Sequence, residues 1–240
     1  MLSLDHSRSL LCLTVFSLLA ALAIGTPVAA AGEYQGLTYF QGLVGAASLD
    51  ENKLTFAEPD LNDPDAMSTN DLSTMPYLGI AGQYAFAGTE SHIGVDASLL
   101  IGWRSDDTSI SAGNAQTRIE IDSELWLVDL AIGLYAQTVL GNRWRLYGAV
   151  GPMMLFGEYS DDTTAEDLTV TPMIETRDSY SESVFGVGGY AKAGVEYRIA
   201  GDAYLGITVR GIATNAEFDR AIEDGGLSGV QGFVTFTRGY

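Results

Sequence analysis

The chain has 240 residues, with 31 acidic against 12 basic side chains, a formal net charge of −19, and 47% hydrophobic residues. That length fits one domain, and so acidic a balance argues against nucleic acid as a partner, because a phosphate backbone requires a basic face. The acidity is local: stretches 50–75, 105–124, 157–183 and 215–226 hold 24 of the acids and only four of the bases, so the framework between them is nearly neutral.

Residues Leu10 to Val28 are almost wholly apolar, with Arg8 before them and Ala29-Ala30-Ala31 after them. A charged start, an apolar run and small residues at the exit are the marks of a cleavable export signal. Cleavage is expected after Ala31, giving a signal at 1–31 and one domain at 32–240; the competing reading is a retained membrane anchor. Cys12 is the only cysteine and would leave with the signal, so no disulfide is expected. No later apolar run approaches the roughly 20 residues of a spanning helix. The best candidate, Leu125 to Ala136, is short and contains Asp129. A membrane crossing by this chain therefore requires strands.

Period-2 alternation predicts eight strands, near 36–49, 77–87, 92–104, 125–138, 143–156, 184–198, 203–214 and 227–240. Three connections are short: Gly88-Thr89-Glu90-Ser91, Gly141-Asn142 and Gly201-Asp202. Gly-Asn and Gly-Asp pairs accept the positive φ of tight hairpins. The other four connections are the acidic stretches, read as loops. Short turns at one rim and long loops at the other are the layout of a bacterial outer-membrane barrel, with the short turns periplasmic. The expected fold is all-β, an eight-stranded antiparallel transmembrane up-and-down β-barrel.

The faces decide which side is wet. Strand three alternates Ile93, Val95, Leu99, Ile101 and Trp103 with His92, Asp96, Ser98 and Arg104, and strand four alternates Trp126, Val128, Leu130, Ile132 and Leu134 with Asp129, Tyr135 and Gln137. Asp96, Asp129 and Glu196 share the polar parity with Arg104, Arg145, Lys192 and Arg210. Acids and bases in near balance suit one enclosed space, so these seven residues are expected to form an ionic network in the lumen. Tyr147, Tyr190, Tyr204 and Gln231 share the same parity. The turn at Gly201-Asp202 sets Lys192 beside Arg210, which would require an acid from across the lumen. Trp103, Trp126 and Trp144 all fall on the apolar face at strand ends, as an aromatic girdle does. Strand one leaves its register open, since Leu37, Tyr39 and Leu43 oppose Phe40 and Val44. A soluble up-and-down barrel or sandwich alternates as well and is the competing fold.

The pattern resembles the small OmpA- and OmpX-like outer-membrane barrels over nearly the whole mature chain. The last strand carries Val230, Gly232, Val234, Phe236, Arg238 and Tyr240 on one face and ends on an aromatic. Phe236 and Tyr240 look like the terminal signal read by the barrel-assembly machinery, and Arg238 departs from the usual apolar residue there. The chain stops at Tyr240, so no peptidoglycan-binding domain of the OmpA kind is expected. The resemblance implies a bacterial outer-membrane location with periplasmic termini and extracellular loops. It implies outer-membrane lipid and lipopolysaccharide as surroundings and a monomeric state. Two roles stand open: a structural or surface-interaction barrel, and a narrow pore or transporter for small solutes. Eight strands leave an interior just filled by side chains, which favours the first.

Enzymes among such barrels place a histidine with a serine or acids near the outer rim. His92, the one histidine of the mature chain, follows a short turn and belongs at the other rim. Asp106-Asp107 and Asp161-Asp162 lack a histidine partner and read as solvated acids. No catalytic residue and no cofactor is expected. Asp60, Asp63 and Asp65 offer oxygen ligands, but the glycine spacing of an EF-hand loop is absent and Pro59 and Pro64 suggest a plain loop. No metal site is expected, only diffuse divalent cations around the acidic segments.

Overall fold

The described residues form ten strands, and those of the barrel alternate apolar and polar positions rich in Val, Ile, Thr and aromatics. They are β1 (Leu37–Leu49), β2 (Thr55–Asp60), β3 (Asp63–Asp71), β4 (Thr74–Gly88), β5 (Ser91–Ala112), β6 (Thr117–Leu140), β7 (Trp144–Asp167), β8 (Ile174–Ala200), β9 (Ala203–Thr214) and β10 (Ser228–Gly239). The structure, a computed structural model, describes residues 37–50, 55–60, 63–88, 91–112, 117–141, 143–167, 174–218 and 226–240. The export signal read at 1–31 lies outside the described residues.

Eight strands close into an antiparallel barrel in the order β1-β10-β9-β8-β7-β6-β5-β4, and β2 and β3 form a separate two-stranded sheet. Closure is the pairing of β1 with β10, from Tyr39↔Gly239 to Leu49↔Gly229. Closing the ring removes the unpaired edges that a hydrocarbon environment would penalise. Gly141 and Gly201 take φ of 59° and 51° at the two tight turns, a backbone that a side chain would strain.

The outward face is an apolar belt. Val44, Leu78, Leu134, Val150, Phe185, Ile207 and Val234 are all exposed large hydrophobics. The inward face holds Gln41, Gln83, Asp96, Asp129, Arg145, Lys192, Glu196, Arg210 and Gln231, all buried. Apolar outside and polar inside is the arrangement of a transmembrane barrel, not of a soluble one. Strand one also resolves: Tyr39, Gln41, Leu43 and Ala47 are buried, while Phe40 and Val44 are exposed. Its odd positions therefore face the lumen. The ambiguity arose because Leu43 and Ala47 are apolar residues on the inward face.

The acidic stretches depart from their expected form. Instead of irregular loops, 105–124 and 157–183 are largely continuations of the barrel strands. β5 and β6 pair out to Ala112↔Thr117, and β7 and β8 pair out to Asp167↔Ile174. β6 and β7 also remain paired there, to Thr117↔Asp167. β6 and β7 have 24 residues each and β8 has 27, whereas a tilted strand needs only about 9–11 to cross a bilayer. The excess forms a four-stranded sheet continuing past the barrel, since β9 leaves β8 at Gly188↔Thr214. Cross-strand partners such as Ile121↔Thr163 explain it: β-branched pairs support a ladder even where carboxylates dominate composition. Within 50–75 the chain forms the β2–β3 hairpin.

Candidate functional site

The site is the barrel lumen, built in layers. Nearest the short turns, Arg145 of β7 and Glu196 of β8 are cross-strand partners. Their side chains are fully buried and pair at 2.5 Å. Arg145 also donates from Nε to Gln137 Oε1 at 2.6 Å and from Nη2 to Gln83 and Tyr135. Its guanidinium lies 4.0 Å from the Tyr39 ring centroid and 4.7 Å from that of Tyr147. Glu196 Oε1 accepts from Gln41 at 2.8 Å, Thr235 at 3.0 Å and Thr237 at 2.6 Å. Both charges thus have several partners, as buried ions require.

The middle layer resolves the placing of two cations side by side. Lys192 and Arg210 are register neighbours on β8 and β9. Each reaches an acid three strands away around the ring. Lys192 Nζ lies 2.6 Å from Asp96 Oδ2 on β5, and Arg210 Nη1 lies 2.9 Å from Asp129 on β6. Tyr190 Oη donates to Asp96 at 3.0 Å, and its ring lies 4.9 Å from the Arg210 guanidinium. Gln83 joins the layers, accepting from Arg145 and donating to Asp96 at 3.1 Å. Arg210 also donates to Gln231 at 2.9 Å. Among the described residues, Arg210 Nε and Nη2 have no hydrogen-bond partner. This layer therefore retains hydrogen-bonding capacity that water can meet.

Six of the seven residues expected in the ionic network are thereby brought together as three acid–base pairs. Arg104 is not among them. Its side chain is 39% exposed and lies 4.0 Å from Asp106, so it stands at the long-strand end of β5. Parity along β5 is the same for Asp96 and Arg104, but eight residues of rise carry Arg104 past the enclosure.

Above the ion pairs lies a layer that parity alone did not reveal. Leu72, Met75, Leu100, Leu125, Leu127, Leu155, Phe218 and Leu227 are buried together. Phe218, from the segment joining β9 to β10, reaches over Gly157 of β7: a Cβ on that glycine would meet the Phe218 ring. The inward positions thus change from polar to apolar toward the long-strand end, and the lumen is capped as well as paired. The signal was present in Leu125, Leu127 and Leu155, which alternate with apolar outward residues and so read as uniformly hydrophobic.

On the outside, Trp103 and Trp126 are directly opposed across β5 and β6, with ring centroids 6.1 Å apart. Trp126 Nε1 donates to Glu124 at 2.6 Å, where the outward face turns acidic. At the other rim Trp144 meets Tyr197 edge-on at 5.0 Å. All three indoles are exposed and bracket the apolar belt.

The profile of the outer membrane protein beta-barrel domain family matches residues 16–231. The chain belongs to this family. As an outer-membrane barrel it is a protein of the bacterial outer membrane. Solved barrels with similar folds include Ail, the attachment invasion locus protein of Yersinia pestis, at 11% identity and TM-score 0.45, covering 85% of this chain and 97% of that one. OprG from Pseudomonas aeruginosa follows at 12% identity and TM-score 0.38, covering 85% and 95%. Neisserial surface protein A stands at 9% identity and TM-score 0.37, covering 86% and 100%. No curated protein sequence matches the chain.

The remaining residues of interest on this outer-membrane barrel are dispersed. His92 is half-buried at the short-turn rim, in register with Gly88 and Gln137. Asp106 and Asp107 lie at the opposite end of β5, in register with Ser123 and Asp122. Asp161 and Asp162 lie on β7 in the protruding sheet. No cluster among the described residues has the geometry to hold a metal ion. The side chains of 51–71, including Asp60, Asp63 and Asp65, lie outside the described residues. Phe236 faces outward beside Gly42 and Leu205, and Tyr240 donates its N–H to Thr38 O at 2.9 Å.

Proposed function

We propose that this outer-membrane barrel is a non-enzymatic surface-interaction protein, with its acidic four-stranded sheet outside the cell and its termini in the periplasm. The observation that carries the reading is a row of three carboxylates. Asp107 pairs in register with Asp122, and Asp122 with Asp162, across β5, β6 and β7. All three side chains are exposed. Like charges directly opposed in a sheet are destabilising. A sequence that retains them on a solvent face supports a role in meeting cationic surfaces, with divalent cations as diffuse counter-ions. The three buried ion pairs and the apolar cap oppose the narrow-pore reading, since both stand across the lumen. The isolation of His92 from Asp106 and Asp161 opposes a hydrolase. Outer-membrane lipid and lipopolysaccharide cover the belt of a monomer, and the barrel-assembly machinery takes up the strand that ends at Tyr240.

Protease added to intact cells tests this. Cleavage within 50–75 or 157–183, with the barrel left in the membrane, is the expected result. Cleavage only after the outer membrane is permeabilised would defeat the surface reading.

A further inference from the structure

Arg238 interrupts an otherwise apolar outward face on β10. Val230, Val234 and Phe236 precede it, all exposed. Its guanidinium lies 5.6 Å from the Tyr240 ring centroid. It makes no ion pair among the described residues. Asp202, whose carbonyl accepts the Gly239 N–H, is engaged by Arg198 at 3.7 Å. A cation held at a membrane rim without a protein anion is a site for an external one.

Directly beside it the belt is indented. A groove of about 470 Å³ runs over β4, β1, β10 and β9, walled by Val44, Leu78, Ile80, Leu205, Val234 and Phe236. Gly42 forms its floor: a Cβ there would meet only the Phe236 carbonyl, at 3.9 Å. Gly42 opposes Phe236, and Phe40 opposes Arg238. Arg238 thus stands two residues, about 7 Å, beyond the groove floor on the same face. An apolar channel ending on a guanidinium matches a molecule with an acyl chain and a phosphate, which the arginine fork binds in bidentate fashion.

We propose that this surface is a glycerophospholipid site, with the headgroup phosphate on Arg238 and one acyl chain in the groove at Gly42. The choice of glycerophospholipid over lipopolysaccharide rests on the proposed topology, in which the short-turn rim and Arg238 face the periplasmic leaflet.

The test is native mass spectrometry of the full chain refolded from urea into detergent micelles and titrated with dimyristoyl phosphatidylglycerol. Micelles have no leaflets, and refolding needs no assembly machinery, so the result is independent of the protease experiment. Wild type should retain one lipid. Arg238→Gln and Gly42→Leu should each weaken binding about tenfold or more, the loss expected of one charge-assisted hydrogen bond or a filled groove. Arg238→Lys, which keeps the charge but loses the fork, should fall between wild type and Arg238→Gln. Gly232→Leu is the control: that outward glycine has nothing within 4 Å of an added Cβ and lies outside the groove. Equal binding by wild type, Arg238→Gln and Gly42→Leu would overturn the site, as would equal weakening by Gly232→Leu. Wild type alone gives a second measurement. Dimyristoylglycerol, which lacks the phosphate, should bind about tenfold more weakly. Equal binding of the two would overturn the role of Arg238, and tighter binding of lipid A would overturn the choice of lipid.

Discussion

Replacing Glu196 by alanine should destabilise the barrel more than any single change at a surface acid. The carboxylate accepts from Arg145, Gln41, Thr235 and Thr237. Its removal leaves the fully buried Arg145 cation with neutral partners only, namely Gln83, Tyr135 and Gln137. Breaking one side of a buried pair costs about 3–5 kcal/mol. Glu196→Gln keeps shape and one acceptor but loses the charge, and should cost roughly 1.5–3 kcal/mol. Asp161→Ala, in the protruding sheet, should stay within about 0.5 kcal/mol of wild type. Replacing both partners, as Arg145→Met with Glu196→Leu, should cost less than Glu196→Ala alone, because no orphan charge remains. Urea unfolding in micelles, followed by fluorescence of the girdle tryptophans, reads these differences. With a slope of about 1–3 kcal/mol per molar urea, Glu196→Ala should lower the midpoint by 1 M or more. Coincident transitions for Glu196→Ala and Asp161→Ala would refute the reasoning, since the network would then contribute nothing.

Asp122 is the middle of the carboxylate row, so Asp122→Asn should raise stability by about 0.2–1 kcal/mol at low salt and by less at high salt. Urea midpoints at two ionic strengths decide it, and a lowered midpoint would mean the row is not repulsive. Removing Tyr240, which bonds Thr38 O at 2.9 Å across the closing seam, should reduce the membrane-inserted fraction measured by heat-modifiable gel mobility; unchanged insertion would count against an assembly role. Purified wild type should show no steady open channel in a planar bilayer, and sustained ohmic conductance would favour a pore.

Much was legible because a strand has a strict period of two. Parity alone assigned Asp96, Asp129, Arg145, Lys192, Glu196 and Arg210 to one face and the three tryptophans to the other. Glycine pairs marked the tight turns because few other residues accept positive φ. Whether a strand residue falls inside or beyond the enclosure depends on rise along the barrel, which parity does not contain; Arg104 stands at the rim for that reason. Composition likewise read 105–124 and 157–183 as loops, because carboxylates mask the cross-strand partners that hold those ladders together. The partners of Lys192 and Arg210 were beyond any local pattern. They lie three strands away around the ring, and only closure of the barrel brings Asp96 and Asp129 to them. The local sequence therefore determined which side of each strand but the first is wet, an effect of neighbouring residues. The tertiary structure decided which charges meet and where the lumen is capped, because those contacts join residues some 50 to 100 positions apart.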